Sequence, residues 1–145
     1  MQLTRAADYA IRVMIHMASL PPGTRMSLTA IAAEIDVPES FLSKVLQALT
    51  RAGLLTSRRG TDGGFELGPG ASTASMLDVI QIIEGPMQLN YCLQGNHHCP
   101  RLDSCATHAV WVKAQQAVVD VLGSAMIGEL ARSQSNLKVA HLKGD

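Results

Sequence analysis

The chain has 145 residues, 47% of them apolar and 17% charged, with 12 Lys/Arg against 12 Asp/Glu and so no formal net charge at neutral pH. That length supports one domain with its own core, needing neither disulfides nor a structural metal to hold it, and no apolar run approaches the roughly 20 residues that span a bilayer. The opening "MQLTRAADYA" lacks the apolar stretch and small-residue cleavage pattern of a secretory signal, so the expected location is cytoplasmic, where thiols stay reduced. The charge is unevenly spread. Residues 1–60 hold seven basic and four acidic side chains, and residues 61–145 hold five basic and eight acidic ones, an asymmetry that points the first half toward a polyanion.

In chain order, Ala7, Ile11, Met14 and Ala18 recur at spacings of three and four, with Thr4 placed to cap the helix they predict and Pro21-Pro22-Gly23 to end it. Leu28, Ile31, Ala32 and Ile35 describe a second, short helix behind Ser27. A turn at Asp36-Val37 leads to Pro38, suited to a first helical position because its missing N–H would have no partner there. A third helix follows, with Leu42, Val45, Leu46 and Leu49 inward, ending near Gly53. Two short helices across a tight turn, preceded by a third, are the frame of a helix-turn-helix. "LLTSRR", "GTDGG" and "FEL" then read as strand, turn and strand, so a hairpin wing is expected directly after the third helix.

Beyond Gly68-Pro69-Gly70 and a Ser/Thr-rich linker, "SMLDVIQIIEG" predicts a short helix closed by Gly85-Pro86. A long helix is expected from about residue 105 to 130. Its Trp111, Ala114, Val118, Val121 and Ala125 form the seam of a helix–helix contact, read here as a homodimer interface. The expected fold is therefore mainly α: a winged helix-turn-helix over residues 1–70 with a small β-hairpin wing, a loop and long C-terminal dimerisation helix over residues 71–132, and a polar, disordered tail over 133–145.

The winged half offers side chains suited to double-stranded DNA. Ser40, Ser43, Lys44 and Gln47 face outward on the third helix, where short hydroxyls, an ammonium and an amide reach phosphates and base edges in a major groove; Phe41 flanks its apolar face. Arg58, Arg59 and Gly60 stand at the hairpin, a basic pair beside a flexible turn that can grip phosphates or enter a minor groove. Thr4 and Arg5, at the start of the first helix, can add a backbone contact through helix-terminal N–H groups.

The stretch "YCLQGNHHCPRLDSCATH", residues 91–108, holds all three cysteines and three of the five histidines. An odd number of clustered thiols in a reducing compartment reads as metal ligands or redox groups rather than staples. Cys92, Cys99 and Cys105 are spaced C-x6-C-x5-C, and His108 adds C-x2-H. Structural zinc sites group ligands into close pairs, and here only the last pair is close. The wide spacing suits a loop wrapped around something larger than one ion, and thiolates favour iron–sulfur clusters. His97 and His98, next to Cys99, read as exposed loop residues.

"LTRAADYAIRVM", "RRGTDGGFEL" and the cysteine loop with its following helix, in that order and over nearly the whole chain, resemble the IscR/NsrR family of iron–sulfur winged-helix transcription regulators. The resemblance implies a homodimer bound to a palindromic operator, with DNA affinity governed by a cluster held by Cys92, Cys99 and Cys105. Two candidates remain for the fourth ligand: His108, as in IscR-like members with a two-iron cluster, or Asp8 of the partner subunit, as in NsrR-like members with a four-iron cluster. The x6 spacing departs from the x5 of typical IscR, and Ser43 stands where IscR-like proteins can carry an acid that shapes base selection. The function implied is a repressor sensing nitric oxide, iron or redox status. Two other readings are a zinc or thiol-switch regulator on the same scaffold and a metal-dependent enzyme; against the latter, the sequence has no phosphate loop or nucleophile motif.

Overall fold

The computed structural model describes residues 3–95 and 99–142. Helix α1 (Arg5–Ser19) begins where predicted, with the Thr4 hydroxyl accepting from the Ala7 N–H at 3.3 Å. It buries Ala7, Ala10, Ile11, Val13, Met14 and Met17. Helix α2 (Leu28–Ile35) is capped by Ser27, whose hydroxyl accepts from the Ala30 N–H at 3.1 Å. It ends on Asp36, the one non-glycine residue with positive φ (54°) among the described residues, a conformation its short polar side chain tolerates. The turn is closed by Val37 N–H donating to the Ala32 carbonyl at 3.0 Å. Pro38 stands at the N-cap, one position before the expected one, and α3 (Glu39–Arg51) buries Leu42, Val45, Leu46 and Leu49. Each such side chain contributes roughly 1.5–3 kcal/mol relative to exposure.

The wing is the antiparallel pair β1 (Leu55–Arg58) and β2 (Gly64–Leu67), in register from Leu55 opposite Leu67 to Arg58 opposite Gly64. Met26, in the loop between α1 and α2, exchanges both backbone hydrogen bonds with Phe65, at 2.9 and 2.8 Å, and so acts as a third short strand. Gly64 makes that approach possible: a Cβ there would lie 2.5 Å from the Met26 carbonyl oxygen, and its φ is +143°. Arg25 reinforces the junction. Its Nη1 donates to the Asp62 carbonyl at 2.9 Å, and its Nη2 meets Glu66 Oε2 at 3.3 Å.

After a 3₁₀ turn over Pro69–Thr73, α4 (Met76–Glu84) starts in a capping box. Asp78 N–H donates to the buried Ser75 hydroxyl at 3.2 Å, and Ser75 N–H donates to Asp78 Oδ2 at 2.8 Å. The sequence predicts one helix from about 105 to 130, but the structure divides it into α5 (His108–Ser124) and α6 (Ile127–Leu142). The break has a tertiary cause. Met126 pairs with Ser75 as an isolated bridge, with Met76 N–H donating to the Ala125 carbonyl at 2.8 Å and Ile127 N–H donating to the Ala74 carbonyl at 3.0 Å. Gly123-Ser124, weak helix formers, precede the break. The tail expected to be disordered after Arg132 instead continues as α6 to Leu142, anchored where Ile127 and Ala131 bury completely.

Helix α1 is the hub, packed against α3, α4 and α6. One continuous buried cluster joins Val13, Met14 and Leu46 of the first half to Val79, Ile80 and Ile127 of the second, so the division expected near residue 70 is not a break in packing. No helix among the described residues is long and apolar enough to cross a membrane.

Candidate nucleic-acid interface and cysteine loop

The α2–turn–α3 unit and the wing leave a polar surface exposed. On α3, Ser40, Lys44 and Gln47 are exposed and Ser43 is half-buried; the Gln47 amide donates to Ser43 Oγ at 3.5 Å. The inward stripe of leucines and Val45 fixes that orientation, because residues three and four apart share a helix face. Arg58 and Arg59 are exposed where β1 enters the turn, and Gly60 follows with φ +108° over open space. Arg5 is exposed at the start of α1. Thr4 is already engaged: its hydroxyl caps the helix and its N–H donates to Glu84 Oε1 at 2.7 Å.

The cysteine loop joins α4 to α5. Cys92 lies in a 3₁₀ turn, Tyr91–Leu93, opened by Asn90 Oδ1 accepting from the Tyr91 N–H at 2.7 Å. Leu89 N–H donates to Gln115 Oε1 at 3.1 Å, tying this arm to α5. The Cys99 carbonyl accepts from Leu102 N–H at 3.1 Å and starts a second 3₁₀ turn, Leu102–Ser104, which delivers Cys105 to the start of α5. All three thiols are free and half-buried. His97 and His98 lie outside the described residues.

Cys105 and His108 are linked through one backbone turn. His108 N–H donates to the Cys105 carbonyl at 3.2 Å, and Cys105 Sγ shares a hydrogen bond with Thr107 Oγ1 at 3.3 Å. The Thr107 hydroxyl, then the Thr107 and His108 N–H groups, and last the Arg101 charge hold the Cys105 thiol below its ordinary range against the opposing effect of burial. His108 Nδ1 is buried without a hydrogen-bond partner. Among the described residues no three His, Cys, Asp or Glu side chains are grouped closely enough to hold a metal ion. Asp8 is exposed in the first turn of α1, ion-paired to Arg12 at 2.9 Å.

Two contributors escape a reading of the sequence. Arg25, which fixes the wing, acts through a partner 41 residues away. Glu84 acts at a distance of 80 residues. Neither leaves a local signal. The S-x-x-D of the Ser75 capping box does leave one.

The model of the Rrf2 family, iron-dependent transcriptional regulators, matches residues 3–133. The chain belongs to the Rrf2 family. Rrf2 proteins are transcription regulators and not enzymes, which sets the enzyme reading aside. Among curated relatives, protein aau3 of Rhizobium meliloti (strain 1021) is 35% identical over 139 residues, 94% of this chain and 89% of that one. Among solved structures, CymR, the global cysteine regulator of B. subtilis, is 27% identical with a TM-score of 0.74, covering 92% of this chain and 98% of that one. The IscR of T. potens shares the fold, at 22% identity and a TM-score of 0.72 over 92% of this chain and 88% of that one.

Proposed function

We propose that this Rrf2 protein is a cytoplasmic, homodimeric repressor whose grip on a double-stranded operator is set by an iron–sulfur cluster. The cluster, two-iron or four-iron, is held by Cys92, Cys99 and Cys105, with His108 or Asp8 of the partner subunit as the fourth ligand. The carrying observation is His108 Nδ1. A buried ring nitrogen left without a partner costs about 1–3 kcal/mol, and this one lies at the helix start that Cys105 precedes, whose thiol is already biased toward thiolate. Three free thiols in one loop are the donor set that soft iron centres take. Such a cluster supplies a centre that nitric oxide, oxidants or iron shortage can alter.

The remaining roles follow from exposure. Ser40, Ser43, Lys44 and Gln47 of α3 meet base edges and phosphates, Arg58, Arg59 and Gly60 of the wing meet the adjacent backbone, and Arg5, joined by Thr4 once its N–H is released from Glu84, meets it at the start of α1. The seam of α5 supports the dimer: no residue of this helix is buried, and Trp111 and Val121 remain 39% and 67% exposed, apolar surface that a second copy would cover.

The test is anaerobic purification with iron and sulfide analysis, visible spectroscopy and native mass spectrometry of wild type, Asp8→Ala and His108→Ala. Coloured wild-type protein whose duplex affinity changes on cluster loss is expected, with Cys92→Ala colourless and insensitive. Colourless protein whose Cys92→Ala form regulates normally would defeat the reading. The depressed Cys105 thiol, hydrogen-bonded to Thr107 in the loop, favours a second reading, a zinc or thiol switch without a cluster; metal analysis separates the two.

A further inference from the structure

The exposed face of α3 is polar except for one residue. Phe41 is 62% exposed, the most exposed aromatic side chain among the described residues. It lies one position from Ser40 and three from Lys44, so its ring projects from the same face as that lysine. The ring is also held in place: its centroid is 6.5 Å from that of Tyr9 on α1, with the planes at 68° in an edge-to-face contact. An aromatic ring fixed by one edge, with most of its surface in water, is ready to cover an apolar feature of whatever α3 meets. A major groove displays one such feature, the thymine 5-methyl group, and phenylalanine is among the side chains that pack on it.

We propose that Phe41 is a specificity-determining residue that selects thymine by packing on its methyl group, with Tyr9 as the positioning residue that sets the ring. This rests on the reading of α3 as the groove-facing helix. It divides the labour on α3: Lys44 supplies affinity through phosphate, and Phe41 supplies discrimination at one base pair in each half-site.

The probe is a random-sequence duplex library, selected in parallel with wild type, Phe41→Ala and Tyr9→Leu. Wild type should enrich a motif with a fixed thymine that Phe41→Ala no longer selects while the other positions persist; Tyr9→Leu should blur the same thymine. Replacing that thymine by uracil, which removes the methyl alone, should then weaken wild-type binding roughly fourfold and leave Phe41→Ala unchanged. Equal binding of thymine and uracil duplexes by wild type, or an unchanged motif for Phe41→Ala, overturns the proposal while leaving DNA binding intact. A wild type that enriches no motif overturns both this inference and the reading it rests on. A Phe41→Ala protein with altered oligomeric state would assign the ring to a contact between copies instead, and also overturns it. Exposure of the ring keeps the variant foldable, which its melting curve checks.

Discussion

Glu84, the last residue of α4, accepts a 2.7 Å hydrogen bond from the backbone N–H of Thr4, 80 residues earlier, at the mouth of α1. The carboxylate occupies a helix N-terminus where a DNA phosphate would otherwise be favoured, and it immediately precedes the segment that carries the cysteines. Glu84→Ala is expected to lower stability by about 0.5–1 kcal/mol and to tighten duplex binding. Removal of the carboxylate should also steepen the slope of log K against log salt, by less than the roughly 0.9 that one added cationic phosphate contact gives. Thermal melting and fluorescence anisotropy over a salt series measure both. A lower Tm with an unchanged slope would place Thr4 away from the phosphates.

Arg25 fixes the wing by a carbonyl hydrogen bond to Asp62 and an ion pair to Glu66, in which the two side chains are only 26% and 20% exposed. Arg25→Ala is expected to cost about 1 kcal/mol of stability and to speed hydrogen exchange at wing amides, with a loss of duplex affinity at least as large as that of Arg59→Ala. Glu66→Gln, which keeps an acceptor, should do less on both counts.

Gly64→Ala introduces both strain and collision, since φ is +143° and the added carbon meets the Met26 carbonyl oxygen at 2.5 Å. Urea denaturation should show a loss of about 1–3 kcal/mol or more. Gly60→Ala, with positive φ but open space around it, isolates the conformational part and should lose less.

The Cys105 thiol, held low chiefly by Thr107, should alkylate in the cluster-free protein with a pH midpoint below the ordinary thiol range, and Thr107→Val should move that midpoint upward. The linkage has a definite sign. A depressed acid stabilises the fold above its unfolded pKa, and that contribution is lost as pH falls through the folded pKa. Melting of the cluster-free protein across mildly alkaline pH should therefore lose this increment on acidification in wild type and much less in Thr107→Val.

The first three helices and the wing are legible in the sequence because their signals are local: Thr4 caps as predicted, the second helix starts behind Ser27, the leucines of α3 keep their period, and Gly60 and Gly63 sit in the turn of the hairpin. The division of α5 from α6 is not legible, because it is made by Ser75 reaching Met126 across the fold, and a periodic apolar pattern runs straight through it. The same holds for the tail, whose polar composition conceals that Ile127 and Ala131 moor it to α1. In the candidate site, spacing exposes Cys92, Cys99, Cys105 and His108, but not that Thr107 tunes one of the thiols or that Glu84 and Arg25 act through distant partners.

Because α1 packs against α3, α4 and α6 together and its buried residues share one cluster with Val79, Ile80 and Ile127, a polypeptide cut at residue 70 would lose part of that cover and collapse or clump rather than persist as a free-standing module. The winged half and the helices that follow it thus melt together or not at all. Neither half, grafted alone onto another scaffold, would bring a complete core with it.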